Sequence, residues 1–155
     1  MKLIPVFLLL YACANVLTVT SSHLVMFGQI EIRLRDNGTI NFRFLKNDVY
    51  TNGTPSNFIA AIEKAKKWDK ELENQKVTLT KRISEWEFSG SYIDYIRNDK
   101  DSAINLCVPF FSNFRYLKCQ MLGSKNYHQL ITILKGSEQK MRHMQEGEET
   151  SKKLK

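Results

Sequence analysis

The stretch Gln29-Ile30-Glu31-Ile32-Arg33-Leu34-Arg35-Asp36-Asn37-Gly38-Thr39-Ile40-Asn41-Phe42-Arg43-Phe44 decides the fold class. Ile30, Ile32 and Leu34 alternate with Glu31, Arg33 and Arg35, and after the turn Ile40, Phe42 and Phe44 alternate with Asn41 and Arg43. Alternation of period two on both sides of an Asn-Gly pair marks an antiparallel hairpin with one buried face. A two-residue Asn37-Gly38 turn would set Leu34 against Asn41 and Arg35 against Ile40, mixing the faces. A three-residue loop, Asp36-Asn37-Gly38 with Gly38 left-handed, instead pairs Leu34 with Ile40, Ile32 with Phe42 and Ile30 with Phe44. Glu31 then opposes Arg43 on the polar face. Burial of one face selects this second register.

Downstream, Thr54-Pro55-Ser56 reads as a helix start, with Thr54 capping and Pro55 in the first helical position. Phe58, Ala61, Ile62, Ala65 and Leu72 recur at helical spacing to about Asn74, while Lys64, Lys67 and Lys70 fall mainly on a solvated face. From Lys76 the residues become β-type. Val77, Leu79 and Ile83 share one parity, whereas Trp86, Phe88 and Tyr92 take the other, which predicts a bend near Ser84. Ser89-Gly90-Ser91 reads as a bulge or a turn, and Asn98-Asp99-Lys100-Asp101-Ser102 as a turn that lacks the glycine and distal glutamate of a calcium loop. Ser124 is the expected cap of a last helix carrying Tyr127, Leu130, Ile131 and Leu134, with Gly136 as its stop. Residues 137–155 are polar and charged, and read as a frayed helix or a disordered tail. No internal repeat is visible in the sequence. The expected fold is therefore α+β: a small antiparallel sheet built from hairpins, packed against one long amphipathic helix, with a late C-terminal helix.

Upstream of the hairpin, Met1-Lys2 is positively charged, Leu3 to Val19 is nearly unbroken apolar sequence, and Thr20-Ser21-Ser22 are small. That is the pattern of a secretory signal peptide, and the stretch is short for a membrane span. The expected organisation is a signal peptide over 1–22, one globular domain over 23–136 and the polar tail over 137–155. Ala12-Cys13-Ala14 also satisfies the small-x-small rule and offers an earlier cut. Leu10-Tyr11-Ala12-Cys13 is a weak lipobox, which offers a third reading, a membrane-anchored bacterial lipoprotein. The first reading gives a secreted, extracellular protein with no membrane span in the mature chain.

Removal of 1–22 leaves 133 residues, enough for one core. The whole chain carries +7; Lys2 lies in the leader, so the remainder carries +6, dispersed rather than clustered as nucleic-acid binding requires. Of three cysteines, Cys13 leaves with the leader, and Cys107 and Cys119 then form an expected disulfide. Asn37-Gly38-Thr39 and Asn52-Gly53-Thr54 are sequons, so Asn37 and Asn52 are expected glycosylation sites, the second weakened by Pro55.

Catalytic motifs are not found. The histidines, His23, His128 and His143, lack metal-ligand spacing; no nucleophile elbow and no phosphate-binding glycine loop occurs. No cofactor and no metal is expected. The region of functional promise is Leu106 to Cys119. There a hairpin turning at Ser112-Asn113 would carry Phe110, Phe111, Phe114 and Tyr116, and Pro109 predicts that its strand lies at a sheet edge. Those four aromatics are the candidate contacts for a partner or an apolar ligand; packed inward, they would instead be core. The functional expectation is a secreted, non-enzymatic binding protein acting on an extracellular protein, glycan or small apolar ligand. The alternative is a secreted hydrolase or nuclease whose site gathers Glu85, Glu87 and His128.

Overall fold

A computed structural model of the chain describes residues 16–24, 28–44, 47–50, 53–86, 90–109 and 117–154. The elements run β1 (Val16–Leu24), β2 (Gly28–Arg35), β3 (Ile40–Phe44), β4 (Asn47–Tyr50), α1 (Pro55–Glu71), β5 (Leu79–Trp86), β6 (Ser91–Asn98), β7 (Asp101–Pro109), β8 (Leu117–Gly123) and α2 (Tyr127–Lys153). The protein is α+β. Its strands form two four-stranded antiparallel sheets, ordered β1-β2-β3-β4 and β5-β6-β7-β8. The order of elements thus repeats, four strands and then a helix, although the sequence shows no repeat.

The β2–β3 hairpin has the single-face register. Leu34 pairs with Ile40, Ile32 with Phe42, Ile30 with Phe44 and Glu31 with Arg43. Gly38 takes φ +78°, a value that costs glycine little; its N–H donates to Arg35 O at 2.9 Å, and the Arg35 N–H donates to Thr39 O at 3.0 Å. Ile30, Ile32, Leu34, Ile40 and Phe42 are all buried.

Helix α1 begins where capping chemistry places it. The Thr54 hydroxyl accepts the Asn57 N–H at 3.4 Å and Pro55 opens the first turn. Phe58, Ala61, Ile62 and Ala65 form its buried stripe, and Phe58 meets Phe42 edge to face with ring centres 5.0 Å apart. At the other end Trp68 meets Tyr95 of β6 in the same way, at 5.4 Å. One core therefore joins both sheets to both helices. The bend anticipated near Ser84 is a bulge in β5, where the pairing with β6 shifts between Arg82 and Ser84.

Three expectations change. Ser124 does not cap α2: it starts a short 3-10 turn, and Asn126 occupies the cap position. Gly136 does not stop the helix; of the two readings of the tail, helix or disorder, residues 137–153 take the first. Local composition missed this because the extra turns are docked: Ser137 is buried, Met141 packs on the core, and Glu138 accepts a hydrogen bond from Ser56 of α1. The ion pair Arg142–Glu138 and a His143–Glu146 contact at 3.6 Å, each spanning one helical turn, follow. Pro109 lies on β7, which is interior to its sheet; it is tolerated because it is the last residue of that strand. Val16–Ser22, within the span expected for the leader, form most of β1 and pair with β2.

Candidate functional site

In the second sheet, Tyr92 opposes Cys107 and Cys107 opposes Cys119, so the two cysteines face each other directly across β7 and β8. Their Cα atoms are 4.1 Å apart and the sulfurs are bonded. Directly paired residues project to the same side of a sheet, and successive residues to opposite sides. The disulfide therefore lies on the face away from Leu106 and Val108, which point into the core.

This geometry fixes β8. Lys118 opposes Val108 and Gln120 opposes Leu106, so two polar residues share the core-facing side. Leu117, Cys119 and Met121 share the outer side, where Leu117 is 45% and Met121 47% exposed. The usual alternation of apolar inward and polar outward is inverted until Leu122, which is buried. β8 is also the edge of its sheet.

The same outer face carries a charged lattice toward β5. Arg82 donates to Asp94 through Nε and to Glu85 at 3.1 Å through Nη1, and its guanidinium stacks 3.8 Å from the Tyr92 ring centre. The Asp94 hydrogen bond foremost, then attraction to the neighbouring carboxylates, makes this cation still harder to deprotonate. The cross-strand row Arg82, Asp94, Asn105, Met121 thus runs from a fixed cation to an exposed thioether. An apolar strip beside polar groups held in place is what protein interfaces present.

Two further clefts are lined by described residues. One of about 550 Å³ lies at the C-terminal end of α1, between Asp69, Lys70 and Glu73 on one side and Lys100 and Ser102 on the other. Arg97 beneath it is 3% exposed and fully engaged. It donates to Leu72 O at 2.9 Å, Gln75 O at 3.3 Å and Asp99 O at 3.1 Å, and lies 3.6 Å from Asp69, which also accepts the Tyr95 hydroxyl at 2.6 Å. Arg97 thereby ties the end of α1 to the β6–β7 turn, where Asp99 holds a left-handed φ of +57°. Tyr127 is buried nearby, its hydroxyl beside Ser102 without a well-formed hydrogen bond; burial first, and then the Asp69 charge, pushes its ionisation far above the ordinary tyrosine value. A second cleft of about 330 Å³ between α1 and β5 is lined by Ala60, Ala61 and Ile83 together with Asn57, Lys64, Ser84 and Glu85. Lys64 and Lys81 sit 5.3 and 4.8 Å from the centre of the Trp68 ring.

Phe110, Phe111, Phe114 and Tyr116 lie outside the described residues, as do Asn52 and Glu87. The strands that flank the aromatic segment, β7 and β8, are described. Asn37 is exposed in the β2–β3 turn, where its Oδ1 accepts from the Thr39 N–H at 3.0 Å and hydroxyl at 2.6 Å. Gly53, next to Asn52, is buried and accepts a hydrogen bond from the Ile40 N–H. Glu85 and His128 are not brought together. Glu85 opposes Tyr92, whereas α2 starts after Gly123, level with Ala103 and Ile96, about 13 Å further along β6. Sequence reasoning missed Leu117 and Met121, although the apolar-polar alternation Leu117-Lys118-Cys119-Gln120-Met121 was visible. What it lacked was the parity, which the disulfide supplies.

No helix among the described residues is long and apolar enough to cross a membrane, and none of these residues form a group of three or more metal-ligating side chains. Comparison with protein-family models, curated proteins and solved structures gives no match to this chain.

Proposed function

We propose that this chain is a secreted binding protein that acts by contact with an extracellular protein, presenting the outer face of β8 and the aromatic segment that leads into it. The observation that carries the reading is the inverted alternation of β8. Two large apolar side chains, Leu117 and Met121, stand exposed on the outer side of an edge strand, while Lys118, itself exposed, and half-buried Gln120 take the positions opposite Val108 and Leu106. Solvent gains nothing from that arrangement, whereas a partner would bury both groups against its own apolar surface. Phe110, Phe111, Phe114 and Tyr116 precede the strip directly in sequence and are of the residue types that such a contact buries. The cleft at the end of α1 is lined by charged and hydroxyl side chains and does not favour an apolar small molecule.

The test places a photo-crosslinking residue at position 121 of the secreted protein and, as control, at exposed position 140 of α2. The expected result is a discrete adduct with an extracellular protein from position 121 only, abolished by Phe111→Ala with little loss of stability. Adducts from both positions or from neither would defeat the proposal. So would a Phe111→Ala variant that loses about 3–5 kcal/mol, as a core aromatic does, while capture is unchanged.

A further inference from the structure

We infer that the secretory leader is cut after Ala14, so that the mature chain starts at Asn15 and keeps the whole of β1; this rests on the secretion proposed above. A cut after Ser22 would fall inside β1. That strand pairs with β2 from Val16 opposite Arg35 to Leu24 opposite Gly28, and α2 packs against it. Losing Val16–Ser22 would leave two residues of the strand. β2 would become a sheet edge with a row of unpaired N–H and C=O groups directly beside the buried Ile30, Ile32 and Leu34.

The chemistry at Ala14 fits the alternative. Ala12 and Ala14 provide the small side chains that the peptidase reads at the third and first positions before the cut. Leu3 to Tyr11 is by itself a sufficient apolar region, nine residues long. The apolar character of Val16-Leu17-Thr18-Val19-Thr20, which in the sequence prolongs the leader, is explained instead by the strand: valine and threonine are strand formers. The cut also removes Cys13, leaving Cys107 and Cys119 to each other.

N-terminal sequencing and intact-mass measurement of the full-length protein recovered from the medium of expressing cells test this. The expected mature sequence begins Asn15-Val16-Leu17-Thr18, and Ala14→Leu is expected to abolish that product. A secreted chain beginning at His23, or at a lipid-modified Cys13, would overturn the inference while leaving export intact. An unprocessed chain held in the cell would overturn the secretion reading as well. Amide exchange gives a second arm, independent of processing. A chain started at His23 should lose protection along β2 by at least tenfold relative to one started at Asn15, and equal protection in the two would also overturn the inference.

Discussion

The β2–β3 hairpin and the β7–β8 pair are both antiparallel, both alternate with period two, and present opposite sides to the core. In the first, nothing but burial chooses the register, so Ile30, Ile32, Leu34, Ile40 and Phe42 all turn inward. In the second, Cys107 lies on the outer face and must meet Cys119, which carries Leu117 and Met121 outward with it. A slip of one residue would bury those two, but it would separate the cysteines and expel Leu122. A covalent bond thus overrides the alternation that governs the other hairpin, and an apolar strip remains at the surface as a consequence.

The largest effect should come from the burial-driven hairpin. Phe42→Ala removes a fully buried ring that packs on Phe58, and should cost about 3–5 kcal/mol in chemical denaturation. A loss below about 1 kcal/mol would mean that this register is not held by its apolar face.

Next comes the disulfide. Replacing Cys107 and Cys119 together by serine should cost about 3 kcal/mol, the loop-closure value for a short loop. The same change should free β8 to shift toward the ordinary alternation, and peroxide oxidation of Met121, followed by peptide mass analysis, would then slow. Unchanged Met121 reactivity would show that Leu122 alone is enough to hold the strand.

A smaller loss, about 2–3 kcal/mol, is expected for Arg97→Met, which strips the carbonyls of Leu72, Gln75 and Asp99 of a charged donor. Thermal melting with and without the substitution measures it, and amide exchange should localise the loosening to the end of α1. Leu117→Ser with Met121→Ser should change stability by no more than about 0.5 kcal/mol, since both side chains are already half in water. A steep loss there would erase the contrast between the two hairpins.

The smallest effect is a pH limb. Tyr127, and Tyr95 with it, ionise less readily in the folded state than in an unfolded chain, in both cases chiefly because they are buried. The stability linked to them is complete below the ordinary tyrosine value near about 10, and is lost as pH rises beyond it. Tyr127→Phe should flatten the decline between about pH 9 and 11 while leaving neutral-pH stability nearly unchanged, as its hydroxyl has no well-formed partner. Urea midpoints across that range decide it.

The amino-acid sequence by itself determined the elements whose causes are local. The Gly38 loop and its register, the Thr54-Pro55 helix start, the buried stripe of α1 and the break in β5 all follow from turn chemistry, capping and side-chain period. The cysteine pairing was also legible, by elimination and compartment. Tertiary structure decided the rest, because the causes lie far apart in the chain. Docking on α1 carries α2 past Gly136; a partner strand, β2, turns residues of the expected leader into β1. Which side of β8 faces water is set by Cys107, a full hairpin away. Alternation announces that a strand has two faces; only what lies across from it decides which one is buried.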